Sequence, residues 1–235
     1  MKITTADKIN LLFAYFKELI PEISHKTITS IDTIEPGLNS DAARLITDNM
    51  EHLVSGGIIV LSGPIGCGKS IASYVGALAW VWDLKLDDWY LKLIAKLEAG
   101  DDAEFEYREI PEGTNHERAL NYIFDSWTPR GLQKPFSIYR ASDILKDAIK
   151  VDSRVVAKFQ GLLIIDDLGR EYFTDKGFGI AEWDAFFDTR YSEMLPTIIT
   201  TNMTPEEFVQ KYNRRIYDRL KECAEWLTIK GKSLR

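Results

Sequence analysis

The segment GPIGCGKS, residues 63–70, has the residue types and the spacing of a phosphate-binding loop. Glycines allow the backbone N–H groups to surround an anion, and the lysine and serine add a cation and a metal-binding hydroxyl. In this pattern Lys69 would reach the β- and γ-phosphates of a nucleotide, and Ser70 would bind Mg²⁺. The candidate nucleotide-binding residues are Gly63, Pro64, Ile65, Gly66, Cys67, Gly68, Lys69 and Ser70.

The sequence on either side of this loop has the pattern that a nucleotide site requires. Residues 58–61 form a short apolar run, which predicts a buried strand, and residues 71–82 contain few polar residues, which predicts a helix. A helix that begins at the loop directs its N–H groups and the positive end of its dipole toward a phosphate. We therefore favour a nucleotide site over the alternative, a glycine turn before a buried helix.

Two adjacent carboxylates, Asp166 and Asp167, follow the apolar run 162–165. Ligands of open α/β sheets bind at the carboxyl ends of the strands, so these acids predict the second half of the site. We expect Asp166 to hold Mg²⁺ through water and Asp167 to polarise the attacking water. Adjacent strand residues point to opposite faces, so we expect the strand to end here and the chain to turn. The alternative is a pair of acids that opens a turn, with Gly169 close behind.

A third polar position follows the predicted strand 197–200. Asn202 lies just beyond that strand, where its side chain would hold a water near the γ-phosphate. The alternative for Thr201 and Asn202 is a helix cap before Pro205.

The remaining elements must bring these side chains together. Strands that alternate with helices indicate a parallel sheet covered by helices on both faces. The predicted elements outside the site are an amphipathic helix over 5–20, a linker over 22–38, a helix from Ser40 to Val54, a strand over 135–139, and helices over 141–150, 152–160 and 180–193. Residues 82–134 are longer than a usual return to the sheet. They form an acidic insertion, which we interpret as two extra helices or as a docking surface for a partner.

The composition and the net charge of the chain exclude several classes of protein. The chain has 235 residues, 45% of them hydrophobic, which is typical of a folded domain. No apolar run reaches the length of a membrane span, and MKITTADKIN lacks the apolar core of a signal peptide, so we expect a cytoplasmic protein without a membrane partner. A net charge of −7 argues against a surface that binds nucleic acid all over. Two cysteines and three scattered histidines predict neither disulfides nor a zinc site.

The order of these segments resembles the AAA+ ATPases of the DnaC/DnaI helicase-loader and IstB transposition-helper group. The segments that carry the resemblance are GPIGCGKS, FSIYRASDILKDAI, LLIIDDLGRE, DTRYSEMLPTIITTN and NRRIYDRL. The resemblance implies a three-layer α/β P-loop AAA+ fold with a parallel sheet and a reduced C-terminal lid. It also implies an AAA+ domain over 39–235, which follows the N-terminal helix and linker predicted over 1–38 from the residue pattern. The insertion at 82–134 departs from the family pattern.

The resemblance assigns roles to individual residues. Lys69 and Ser70 would belong to Walker A, Asp166 and Asp167 to Walker B, and Asn202 would be sensor I. In the same way, Arg219 falls at the arginine-finger position and Arg235 at the sensor II position. Residues 141–150 match the helix that faces single-stranded DNA in the initiator-type clade, and the cations there are Lys146, Lys150 and Arg154.

The function that the resemblance implies is ATP-dependent loading or remodelling of a replicative helicase on single-stranded DNA. ATP and Mg²⁺ would be the cofactors, and the chain would assemble into an ATP-dependent oligomer. The helicase would contact the N-terminal helix or the acidic insertion. Two alternatives are an IstB-like, ATP-gated DNA-binding transposition helper and a stand-alone nucleotide or small-molecule kinase.

Overall fold

A computed structural model of the chain describes residues 19–24, 40–81, 135–147, 153–171 and 176–229. After a short 3₁₀ helix, Glu22–Ser24, the elements are α1 (Ser40–Thr47), α2 (Met50–Val54), β1 (Ile58–Ser62), α3 (Lys69–Val81), β2 (Phe136–Arg140), α4 (Ala141–Asp147), α5 (Ser153–Ala157), β3 (Leu162–Leu168), α6 (Lys176–Ser192), β4 (Thr197–Thr201), α7 (Pro205–Tyr212), α8 (Arg214–Cys223) and β5 (Ala224–Thr228). Most of the predicted N-terminal helix and linker, and the insertion at 82–134, lie outside the described residues.

The five strands form one parallel sheet in the order β2-β3-β4-β1-β5. The central strands β1 and β4 are buried along their whole length, and β3 is buried at all but one position. Because β4 lies between β1 and β3, the segments that follow these three strands meet at one edge of the sheet. The predicted parallel sheet is confirmed.

Helices cover both faces of the sheet. The cluster on one face includes side chains of α1, α2 and α3, such as Ile46, Leu53 and Leu78. The cluster on the other face includes side chains of α4 to α8, such as Trp183 and Phe208. Two buried layers around one sheet are the predicted three-layer arrangement. Of the helices described, none is both long and apolar enough to cross a bilayer.

The prediction of one helix from Ser40 to Val54 was wrong, because the chain breaks between α1 and α2. Thr47 Oγ1 donates to the Arg44 carbonyl at 3.0 Å, and Asn49 Nδ2 donates to the Leu45 carbonyl at 2.8 Å. Short polar side chains compete with helical hydrogen bonds in this way. The helix therefore ends and restarts where three such residues, Thr-Asp-Asn, follow one another.

β3 is longer than predicted, and β5 was not predicted. β3 does not end at the two acids but continues through them to Leu168. The edge strand β5 was not predicted, because its residues AEWLT are partly exposed and form no apolar run. β5 lies beside β1, and Ile229 N donates to the Ser62 carbonyl at 2.8 Å just beyond it.

Candidate functional site

The candidate phosphate-binding loop joins β1 to α3, as predicted. Gly66 and Gly68 have φ angles of 82° and 91°, in the left-handed region that side chains disfavour. At Gly63 a Cβ atom would lie 2.8 Å from the Ile229 carbonyl oxygen, so the loop passes too close to the chain after β5 for a side chain. The glycine spacing of the motif is therefore a geometric requirement of this loop.

Lys69 connects the loop to the segment after β4. Its side chain is 6% exposed. Its Nζ donates to the carbonyl oxygens of Gly63 at 2.7 Å and Pro64 at 2.8 Å, and to Oδ1 of Asn202 at 2.8 Å. The structure thus brings together the candidate phosphate-binding lysine and the candidate water-orienting asparagine.

Asp166 lies beside Ser70, so the two candidate metal-binding residues are in contact. Oδ1 of Asp166 accepts from Ser70 Oγ at 2.8 Å and from Thr200 Oγ1 at 2.6 Å. Oδ2 accepts from the Tyr74 hydroxyl at 3.3 Å. A hydroxyl and a carboxylate are oxygen donors of the kind that Mg²⁺ prefers, and this ion usually takes only one or two protein ligands alongside phosphates and water.

Asp167 occupies a bulge within β3 rather than the strand end that the sequence predicted. The pairing of β3 with β4 shifts register between Ile165 and Leu168, and Asp167 has a left-handed φ of 58°. Its N–H donates to Thr200 Oγ1 at 3.0 Å, which replaces the interrupted sheet hydrogen bond. The Asp167 carboxylate is 39% exposed and pairs with Arg170 at 3.3 Å.

Sequence reasoning missed Tyr74 and Thr200, although both donate to Asp166. The sequence position of each residue could have indicated that it faces the site. Tyr74 follows Ser70 by four residues and so lies on the same face of α3. Thr200 precedes Asn202 by two residues, the strand spacing that places side chains on one face. Thr201 and Asn202 do not cap the next helix, because Thr204 does so in a capping box with Glu207.

Arg219, the candidate arginine finger, is held by carboxylates of α6. Its guanidinium pairs with Asp184 and Asp188, both at 2.8 Å, and its side chain is 22% exposed. Glu222, three residues further along α8, accepts from the Tyr191 hydroxyl at 3.3 Å. Its action on a neighbouring subunit stays a prediction.

The remaining candidate residues are only partly described. Arg154 is exposed on α5, and Lys146 belongs to α4, although its side chain is outside the described part of the chain. Lys150 and Arg235 also lie outside it. Their roles in DNA binding and nucleotide sensing stay predictions.

The fold is shared with solved structures of replication proteins. No protein-family model and no curated protein sequence matches the chain. The structural matches include the replication initiator DnaA bound to AMPPCP and single-stranded DNA, with 13% identity, a TM-score of 0.50, and coverage of 86% of this chain and 49% of the initiator. They also include a DnaC helicase loader, with 18% identity, a TM-score of 0.45, and coverage of 85% and 95%. A third match is DnaI, with 15% identity, a TM-score of 0.47, and coverage of 86% and 87%.

These comparisons concern the fold. The chain has a three-layer α/β fold with a parallel sheet, as predicted, and shares this fold with the DnaA structure. The chain spans about half the length of the initiator structure.

Proposed function

We propose that the chain is a Mg²⁺-dependent ATPase whose site lies at the carboxyl ends of β1, β3 and β4. The observation that carries this proposal is the contact of Ser70 with Asp166, at 2.8 Å, beside the contact of Lys69 with Asn202, also at 2.8 Å. These four residues come from three separate segments, and each has the chemistry that its place in a nucleotide site requires.

Each residue has a distinct task in this proposal. Lys69 exchanges its carbonyl partners for phosphate oxygens, and Ser70 and Asp166 hold Mg²⁺. Mg²⁺, when bound, neutralises charge on the phosphates. The exposed Asp167 carboxylate polarises the attacking water, and Asn202 orients it.

The biological task that we propose is loading or remodelling of a replicative helicase on single-stranded DNA. The support is the sequence resemblance to the helicase-loader group, together with a fold shared with an initiator solved with AMPPCP and single-stranded DNA. In this proposal the chain assembles with copies of itself, and Arg219 of one copy completes the site of the next. Lys146, Lys150 and Arg154 face the DNA.

The ATPase proposal is tested with Lys69→Ala and Asp167→Asn. Lys69→Ala removes the cation that binds the β- and γ-phosphates, so affinity for a fluorescent ATP analogue and phosphate release should both be lost. Asp167→Asn should bind the nucleotide like the wild type but release phosphate much more slowly, because it affects water activation. Lys158→Ala, at an exposed lysine beyond α5, is the matched control and should behave as wild type. Normal affinity and turnover in Lys69→Ala would overturn the ATPase assignment.

The partner is tested by pull-down with a purified hexameric replicative helicase, with and without ATP. We expect ATP-dependent capture by the wild type and none by Lys69→Ala. Stimulation of a transposase without capture of a helicase would instead favour the transposition-helper alternative.

A further inference from the structure

The Tyr74 side chain connects the core beneath α3 to the candidate metal site. Tyr74 is 2% exposed and belongs to the hydrophobic cluster between α3 and the sheet. Its hydroxyl nevertheless reaches a charged group, Oδ2 of Asp166, at 3.3 Å. Because Tyr74 follows Ser70 by about one helical turn, the two residues approach the same carboxylate from one face of α3.

The two oxygens of Asp166 are held by different donors. Ser70 and Thr200 both donate to Oδ1, at 2.8 Å and 2.6 Å, whereas Tyr74 donates to Oδ2. The last torsion of an aspartate is soft, so hydrogen bonds to a single oxygen leave the carboxylate plane poorly defined. A donor on the second oxygen restricts that rotation. This is the contribution that Tyr74 makes.

The chemistry of the pair fixes which group is the donor. A tyrosine phenol keeps its proton at neutral pH, so the Tyr74 hydroxyl has an O–H to donate. An ionised carboxylate can only accept, so the Tyr74 O–H donates to Asp166.

We propose that Tyr74 is a positioning residue for the metal site, whose hydroxyl sets the orientation in which the Asp166 carboxylate, together with Ser70, binds the Mg²⁺ of a bound nucleotide. This inference rests on the proposed ATPase function. A tyrosine that only filled the core would act through its ring. The role in positioning Asp166 needs the hydroxyl, whereas the role in filling the core needs only the ring. Tyr74→Phe removes the hydroxyl and keeps the ring.

The experiment measures metal and nucleotide binding separately. Mn²⁺ binding to the AMPPNP complex is followed by EPR, and binding of mant-ATP is titrated in EDTA, for wild type, Tyr74→Phe, Asp166→Asn and Ser73→Ala. In Tyr74→Phe we expect the Mn²⁺ dissociation constant to rise about ten-fold, the loss that one hydrogen bond to a charged group brings at the lower end. The affinity for mant-ATP in EDTA should be unchanged.

The two other variants are controls. Asp166→Asn removes the carboxylate itself and should weaken Mn²⁺ binding at least as much as Tyr74→Phe. Ser73→Ala is the matched control, because this neighbouring buried hydroxyl donates to the Ser70 carbonyl at 2.7 Å and not to Asp166. We expect Ser73→Ala to bind Mn²⁺ like the wild type.

The outcomes distinguish this inference from the function on which it rests. If Tyr74→Phe binds Mn²⁺ as tightly as the wild type while Asp166→Asn does not, Tyr74 is a core residue and the ATPase proposal stands. Equal losses of Mn²⁺ affinity and of mant-ATP affinity in EDTA would also overturn the positioning role, because they indicate a general disturbance of the site. If the wild type binds no mant-ATP, the proposed function fails and the metal role of Tyr74 fails with it.

Discussion

At the scale of single residues, the Thr200 hydroxyl joins the two acids of β3. It donates to Oδ1 of Asp166 at 2.6 Å and accepts from the N–H of Asp167 at 3.0 Å. Thr200 is fully buried, so neither contact is replaced by bulk water when the hydroxyl is removed. One side chain thus stabilises both the carboxylate that is the candidate metal ligand and the bulge that follows it.

We expect Thr200→Val to destabilise the protein by about 1–3 kcal/mol, because it leaves the Asp167 N–H and one carboxylate oxygen short of a partner in a buried place. Urea unfolding measures this loss, and ATP turnover should fall with it. The control is Thr189→Val, since this hydroxyl donates only to the carbonyl of Ala185, at 3.0 Å, within α6. That variant should stay within about 0.5 kcal/mol of the wild type. An equal loss of unfolding free energy in Thr200→Val and Thr189→Val would contradict the role that we give to the Thr200 hydroxyl.

At the scale of elements, a buried carboxylate ties the loop after β3 to α7. Glu171 is 4% exposed, accepts from the Gly169 N–H at 2.9 Å, and accepts from the Tyr212 hydroxyl. Lys211 Nζ donates to the carbonyl of Glu171 at 3.0 Å and to that of Gly169 at 2.5 Å. The segment that follows the two acids is therefore held by the last turn of α7.

This carboxylate makes the stability depend on pH. Burial, the largest cause, raises the pKa of Glu171 above its usual 4.5, despite the opposing effects of its hydrogen bonds and of Lys211. At pH values between the unfolded and the folded pKa of Glu171, the folded chain binds more protons than the unfolded chain. The contribution of Glu171 to the stability of the fold is therefore fully present below 4.5 and is lost as pH rises through the folded pKa. We expect wild type to lose stability relative to Glu171→Gln as pH rises from about 4 toward 7.

Urea unfolding at a series of pH values measures this difference. Glu225→Gln, at an exposed glutamate of β5, is the control and should follow the wild-type profile. Parallel profiles for wild type and Glu171→Gln over the whole range would show that another group titrates.

At the scale of the whole molecule, α8 carries the residue that would act between subunits. Arg219 lies between Asp184 and Asp188 of α6, so within one chain it stabilises the packing of α8 on α6. A finger arginine that enters a neighbouring site can raise phosphate transfer by roughly 10³-fold or more. For Arg219 to do so it would have to exchange at least part of its pairing with α6, so assembly and hydrolysis would be coupled.

We expect Asp167→Asn and Arg219→Ala each to be nearly inactive alone and partly active when mixed, because some interfaces then combine an intact Asp167 with an intact Arg219. Phosphate release from the mixture measures this recovery. Arg214→Ala is the control on the same helix, since Arg214 is 77% exposed and pairs with Asp218 at 3.1 Å, and it should retain activity. No recovery in mixtures that demonstrably co-assemble would limit Arg219 to its role between α6 and α8.

Strands, helices and loops could be predicted from the sequence where they depend on a few neighbouring residues. The strand before the candidate phosphate-binding loop and the helix after it were identified correctly, since apolar runs and glycine spacing act within a few residues. Two local features were nevertheless predicted wrongly or not at all. The polar run Thr47 to Asn49 divides a helix that the pattern treated as continuous, and β5 has no apolar run to reveal it.

By itself, the sequence determined the glycine-rich loop after β1, the alternation of strands and helices, and the three segments that supply the candidate site. Only the tertiary structure decided how these segments meet. Ser70 lies 96 positions from Asp166, Lys69 lies 133 from Asn202, and Thr200 lies 34 from Asp166. The physical reason is that these contacts depend on the order of the strands and on the bulge at Asp167. Both arise from pairing and packing between distant segments, which the pattern of a single segment does not contain.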